Sequence, residues 1–306
     1  MGQDSKIEWT DHTFNPWWGC TKVAAGCANC YAEAQSKRYG HAVWGKDADR
    51  RFMSDAHWRQ PLKWAKDARA AQAALDASAL KDAELRIRRP RVFCGSMCDV
   101  FEDRADLVEP RRRLFNLIVE TPDLDWLLLT KRPENIGRFL PGFRGGYPNG
   151  AFPNVWLGTS IACQVDADRN VPMLLEVPAR VRFLSVEPLV GPVDLTRWLW
   201  QNDTDTGAPA PRAEPLVHWV IVGGESGHRA RPCDVAWVRS IVSQCREALV
   251  PVFVKQMGAK PYTDHRTRLP GEDWTWTTML RDRKGGDASE WPEDLRVREH
   301  PRSEHA

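Results

Sequence analysis

Six short apolar runs punctuate the chain from residue 91 onward, each followed by a polar or glycine-bearing turn and a helical stretch. They are Arg91–Gly95, Asp125–Thr130, Asn154–Thr159, Val181–Val186, Val217–Val222 and Val250–Lys255. A strand buried on one face alternates apolar and polar residues; these runs are continuous, so both faces are expected to be covered. Recurrence about every 30 residues with helical segments between is the pattern of a parallel sheet joined by crossover helices. Lys6–Thr10, with its alternation Lys-Ile-Glu-Trp-Thr, is expected to supply a first strand, which makes six or seven βα units. That is fewer than the eight of a closed TIM barrel, and a partial barrel and an open doubly wound sheet both remain. In either, chemistry gathers at the C-terminal ends of the strands.

The 306 residues suffice for one barrel-like domain over 1–258, followed by a polar extension over 259–306 that packs on it, its last eight residues disordered. Residues 40–90 read as a helical insertion: Ala65–Leu85 has surface-helix composition, and Trp58, Leu62 and Ala65 recur at helical spacing, with Pro61 tolerable only in a first turn. Residues 201–215 have linker composition and are expected to form a mobile surface loop. A net charge of +2 gives no overall drive toward nucleic acid. No apolar run is long enough to span a membrane, and the polar start MGQDSK lacks a signal-peptide core, so a cytoplasmic protein is expected. The eight cysteines have no disulfide-like pairing pattern and read as reduced thiols and metal ligands, while most of the 15 tryptophans are expected in the core.

Chemistry concentrates in residues 13–33, where Cys20, Cys27 and Cys30 fall within eleven positions. The C-x-x-C pair lets two thiolates reach one metal centre, and Gly19 and Gly26 free the backbone to wrap around it. Cys94, Cys98, Cys163, Cys233 and Cys245 are scattered singly. Three thiolates on a four-iron cluster leave one iron open, as a reactive metal site requires. The other possibility is a zinc knuckle completed by His12 or Asp11. Trp17 and Trp18 are expected to pack beneath the loop.

Each strand end carries polar groups. Ser96 and Asp99 could accept hydrogen bonds from an ammonium group, or else cap the next helix. Lys131 could pair with a carboxylate, and the hydroxyls of Thr159 and Ser160 could meet a ligand. Glu187, directly after a strand, is costly to bury without a partner or a ligand hydroxyl. After the sixth run, Gly223 and Gly224 could admit a ligand to the backbone beside Glu225, His228, Arg229 and Arg231. Lys255 and Gln256 follow the last run.

Cys20-x6-Cys27-x2-Cys30 followed by Tyr31-Ala32 resembles the cluster loop of radical S-adenosylmethionine (SAM) enzymes, although three residues more commonly separate the first two cysteines there. Asn15-Pro-Trp-Trp-Gly-Cys20 and Gly26-Cys-Ala-Asn-Cys-Tyr-Ala32 resemble a phage-associated three-Cys-motif family of unknown function, as does the segment from Asp282 to Arg298. More distantly the loop is similar to the spore photoproduct lyase branch. The resemblance implies an α/β fold, a partial (β/α)6-type TIM barrel. It implies a 4Fe-4S cluster on Cys20, Cys27 and Cys30, with SAM held by Ser96, Asp99, Lys131, Ser160, Glu187 and Glu225. It further implies a 5'-deoxyadenosyl radical, an electron donor such as flavodoxin or ferredoxin, and a nucleobase, nucleotide or nucleic-acid substrate in a phage-related context. Arg86–Arg91 and Arg111–Arg113 could then contact phosphate. The rival reading is a binding protein for nucleic acid or protein, braced by zinc or an iron-sulfur site and without catalysis.

Overall fold

A computed structural model describes residues 2–77, 87–140, 152–202, 209–211, 215–263 and 280–301. Seven strands build one sheet: β1 (His12–Phe14), β2 (Arg91–Cys94), β3 (Asp125–Thr130), β4 (Val155–Ser160), β5 (Val181–Val186), β6 (Trp219–Gly223) and β7 (Val252–Gln256). They pair in chain order, every neighbour parallel. A doubly wound sheet reverses its strand order at a switch point; this sheet never reverses, and it curls into a half-barrel with helices outside. The fold is therefore the expected α/β partial barrel. Among its helices are α1 (Tyr31–Arg38), α2 (Gln60–Asp76), α3 (Val108–Glu120), α4 (Gln164–Leu175) and α5 (Val235–Glu247).

The period of two along a strand sorts side chains between the two faces. Phe93, Leu127, Trp156, Phe183, Trp219 and Phe253 pack inward with Trp9 into one aromatic cluster. Their neighbours, among them Val92, Trp126, Leu157, Leu184, Val220 and Val252, belong to the larger core shared with the helices. Both faces are buried, hence the continuous runs. Gly158 makes this possible locally, because a Cβ there would lie 2.4 Å from the Phe183 ring.

The first strand is not Lys6–Thr10 but His12–Phe14. Ile7 and Trp9 alternate because both pack against the barrel interior. Thr10 closes a turn onto Ile7, and its hydroxyl bonds the carbonyl of Arg91, so the segment plugs the sheet instead of extending it. In the 40–90 insertion, α2 begins at Gln60, with Pro61 in its first turn and Trp64 and Ala65 buried; residues 78–86 lie outside the described ones. Within 201–215, Trp200–Asn202 pairs antiparallel with Pro209–Pro211 to form a hairpin stem, and the rest of the expected loop lies outside the described residues.

Trp291, Leu295 and Val297 of the C-terminal extension are buried in the outer core. Val254 N–H donates to Val297 O at 2.8 Å and Glu299 N–H to Val252 O at 2.9 Å, so this segment lies antiparallel along the outer edge of β7. An uncovered edge strand would invite pairing with other chains. Of the eight final residues expected to lack order, Glu299 is held there and His300 rests against Trp219 and Phe253; residues 302–306 lie outside the described ones. Among the described residues no helix is long and apolar enough to cross a membrane.

Candidate functional site

The inward parity continues past the C-terminal strand ends, and it decides which polar groups meet. Lys131, Ser160, Ser185, Glu187 and Lys255 line a cavity of about 610 Å³ at the open end of the half-barrel. Cys20, Cys27 and Cys30 line the same cavity from the loop after β1. All three are free thiols. The size falls within the range of sites for small organic ligands.

The cysteine loop is held by its neighbours at several points. Gly19 has φ +116°, and a Cβ there would sit 2.3 Å from Val43 O, so only glycine fits without displacement. Gly26 packs its missing side chain against Ala162 and Pro188. The Arg132 guanidinium, just beyond β3, donates to Cys20 Sγ at 3.6 Å and to Thr21 O at 2.6 Å. Arg231 donates to Ala25 O at 3.0 Å while forming a two-pronged pair with Glu225. Glu225 in turn accepts from Asn29 Nδ2 at 3.1 Å. Behind the loop, Arg50 and Glu102 form a buried ion pair at 2.8 Å, and Arg50 reaches Thr21 Oγ1 at 3.0 Å. Burial pushes the Cys20 thiol up to about 12, with the Asp99 carboxylate adding to the effect and Arg132 opposing it. Cys20 therefore stays protonated unless a cation takes the proton's place.

The residues expected at the strand ends divide into two sets. Lys131 Nζ donates to Ser160 Oγ at 2.9 Å, and Ser160 donates to Glu187 O at 3.0 Å. Among the described residues Lys131 has no carboxylate partner. Lys255 Nζ lies 3.1 Å from Glu187 Oε1 but is not aligned for a hydrogen bond to it, and its bond goes to Oε2 at 3.3 Å. Oε1 is thus a buried acceptor with charge nearby and no hydrogen bond. Asp99 is different: it accepts from Arg132 Nη1 at 2.8 Å, Thr130 Oγ1 at 2.7 Å, Lys131 N at 3.1 Å and Phe101 N at 3.0 Å. Its carboxylate is occupied by the chain itself; the Phe101 contact closes a local turn and caps no helix, the next helical turn, Ala105–Leu107, having Arg104 at its N-cap. Ser96 lines the cavity, its hydroxyl accepting from Asn15 Nδ2 at 2.9 Å. Glu225 is likewise spent on Arg231 and Asn29; burial raises its carboxyl, but those donors outweigh this and hold it below its ordinary value.

Gly223 and Gly224 relieve crowding, as a Cβ would meet Glu187 Oε1 at 2.7 Å and Met257 O at 2.2 Å respectively, and Gly224 also lines the cavity. Gln256 Nε2 closes onto Gly224 O at 2.9 Å. Arg132, Asn29 and Arg231 are the residues whose importance the sequence did not announce. Arg132 follows Lys131 and Arg231 sits in a cluster already noted, but which cation turns toward the loop depends on the fold.

The zinc knuckle lacks its proposed fourth ligand. Asp11 is engaged by Arg88 and by Arg91 N–H, and His12 stacks on Trp64; both stand at the start of β1, whereas the cysteine loop leaves its far end. Among the described residues no group of three His, Cys, Asp or Glu side chains is placed to hold a metal ion.

No curated protein sequence matches the chain. A solved structure of a spore photoproduct lyase double mutant with bound AdoMet and dinucleoside spore photoproduct is similar at a TM-score of 0.35 and 11% identity, over 61% of this chain and 48% of that one. The chain thus spans about half the length of that protein. A family described as "Protein of unknown function (DUF5131)" matches residues 4–287, and the chain belongs to that family.

Proposed function

We propose that this chain is a radical SAM enzyme in which Cys20, Cys27 and Cys30 hold a 4Fe-4S cluster and the substrate is a nucleobase, free or within nucleic acid. The observation that carries it is the convergence of three free thiols from one braced loop on the cavity that also receives Lys131, Ser160 and Glu187. Three thiolates suit a four-iron cluster that keeps one iron open. The loop is held at its backbone by Arg132 and Arg231, through Thr21 O and Ala25 O.

Bound there, the cluster and SAM together supply one-electron cleavage of the SAM sulfonium and a 5'-deoxyadenosyl radical that can take hydrogen from a substrate. The chain supplies binding, orientation and a dry wall. Lys131 pairs with the SAM carboxylate, Ser160 keeps the Lys131 ammonium aimed, and the Glu187 carboxylate, in the same cavity wall, accepts from a ribose hydroxyl. Ser96 stays among the SAM contacts by its place in the cavity wall. Asp99 and Glu225 act one step back, fixing the arginines that hold the loop. The apolar interior beneath, with Trp156, Phe183 and Trp219, keeps water from entering below. The nucleobase assignment draws on the resemblance of the cysteine loop.

The test is protein reconstituted with iron and sulfide without oxygen. Four irons per chain, a reduced-state paramagnetic signal that shifts on adding SAM, and released 5'-deoxyadenosine, all lost in Cys27→Ala, are expected. Stoichiometric zinc with no such signal and no deoxyadenosine refutes the proposal.

A further inference from the structure

We propose that Arg132 is a positioning residue that donates to the Cys20 sulfur and tunes the ease with which the metal centre accepts an electron; this rests on Cys20 being a cluster ligand, as above. Arg132 is a buried guanidinium, its side chain 7% exposed. Nη1 lies 2.8 Å from Asp99 Oδ2 and 3.6 Å from Cys20 Sγ, while Nη2 bonds Thr21 O at 2.6 Å. The fork cannot swing away. Asp99 is itself fixed by Thr130 Oγ1 and two backbone N–H groups, and Glu102, 3.8 Å from Nη2, is held by Arg50. Among the described residues no side-chain donor is seen on Cys27 or Cys30, so the three sulfurs are not equivalent.

A hydrogen bond to a ligating sulfur withdraws electron density from the metal and favours the reduced state, which carries the extra negative charge. Because Asp99 offsets most of the guanidinium charge, the effect comes from the directed N–H more than from net charge. In a water-poor setting such a bond is stronger than at a surface. Lysine could keep the charge but could not reach Asp99, Thr21 O and Cys20 Sγ together, since it lacks the planar fork.

The experiment compares the anaerobically reconstituted wild type with Arg132→Lys and with Arg132→Met combined with Asp99→Asn, the pair of changes avoiding an uncompensated buried carboxylate. Iron per chain is measured for each variant, and potentials are compared between samples loaded to the same iron content. In the double variant the ratio of reduced to oxidised cluster at a fixed ambient potential is expected to fall about tenfold, or about 59 mV for one electron, with Arg132→Lys in between. Wild-type protein labelled with ¹⁵N-arginine should also show a nitrogen hyperfine coupling in pulsed paramagnetic resonance that Arg132→Lys abolishes. This second readout decides the matter even if the double variant does not fold. Unchanged potentials, or a loaded wild type with no arginine nitrogen coupling, overturn the inference and leave the cluster standing. A wild type that binds no iron overturns the cluster assignment itself.

Discussion

Glu187 follows β5 with one carboxylate oxygen buried, charged surroundings on one side, and no hydrogen bond. Its carboxylate nevertheless stands in the cavity wall beside Lys255, where a charged acceptor can take a ligand hydroxyl. Glu187→Gln keeps the shape and loses the charge; it is expected to weaken SAM binding roughly ten- to a hundredfold, the scale of about 1.5–3 kcal/mol for a hydrogen bond to a charged group. Calorimetric titration of the cluster-loaded protein checks this, and unaltered affinity removes Glu187 from the ligand set. Gly158 tests packing at the same scale. Its missing Cβ leaves space for the Phe183 ring, which Trp9 and Trp219 confine from other sides. Gly158→Ala should therefore cost about 1–3 kcal/mol, as overpacked cores do, read as a lower urea midpoint with an unchanged slope.

At the level of elements, the cysteine loop owes its shape to what surrounds it. It carries little regular structure of its own, a single 3-10 turn at Ala25–Cys27, so arginines from beyond β3 and β6 hold it instead. Arg231→Ala removes the Ala25 contact and leaves Glu225, whose side chain is 6% exposed, without its cation. The loop should loosen and the reconstituted protein lose iron to a chelator several-fold faster, followed by bleaching of the cluster absorbance. Equal rates would mean that Arg231 does not restrain the loop.

For the whole molecule, the open side of the half-barrel is closed by both ends of the chain. Residues before β1 bring Trp9 into the interior, and residues after 290 cover the edge of β7. Arg298 and Glu8 join the two ends at 3.1 Å. Trp291 is 2% exposed and donates its indole N–H to Gly285 O at 2.9 Å. Trp291→Ala should cost about 3–5 kcal/mol and promote self-association by loosening the cover on β7, seen as a lower unfolding midpoint and higher scattering. The same seal is acid-sensitive. Burial, reinforced by Arg91 and Arg88, lowers the His300 ring from 6.5 to about 4, and its neutral Nδ1 faces the Arg91 guanidinium. The unfolded chain therefore takes up this proton first. Stability from His300 is complete above pH 6.5 and is lost as pH falls from 6.5 toward 4. His300→Gln should flatten that part of the profile of unfolding midpoint against pH.

Continuous apolar runs at regular intervals determined the parallel strands, because a strand covered on both faces has no reason to alternate. That Cys20, Cys27 and Cys30 would gather at one place was legible for the same kind of reason, since their spacing is local. Lys131, Ser160 and Glu187 were also legible, being the residues that end or follow apolar runs. The sequence misled where a pattern had two causes. Ile7 and Trp9 alternate like a strand yet form a plug. Only the tertiary structure settled the curl and unreversed order of the sheet, and which of the charges around the cavity are already paired by the chain's own arginines. Asp99 and Glu225 could not be told from Glu187 by position in the chain. Their partners, Arg132 for Asp99 and Arg231 with Asn29 for Glu225, turn toward them only once the strands have brought distant turns together.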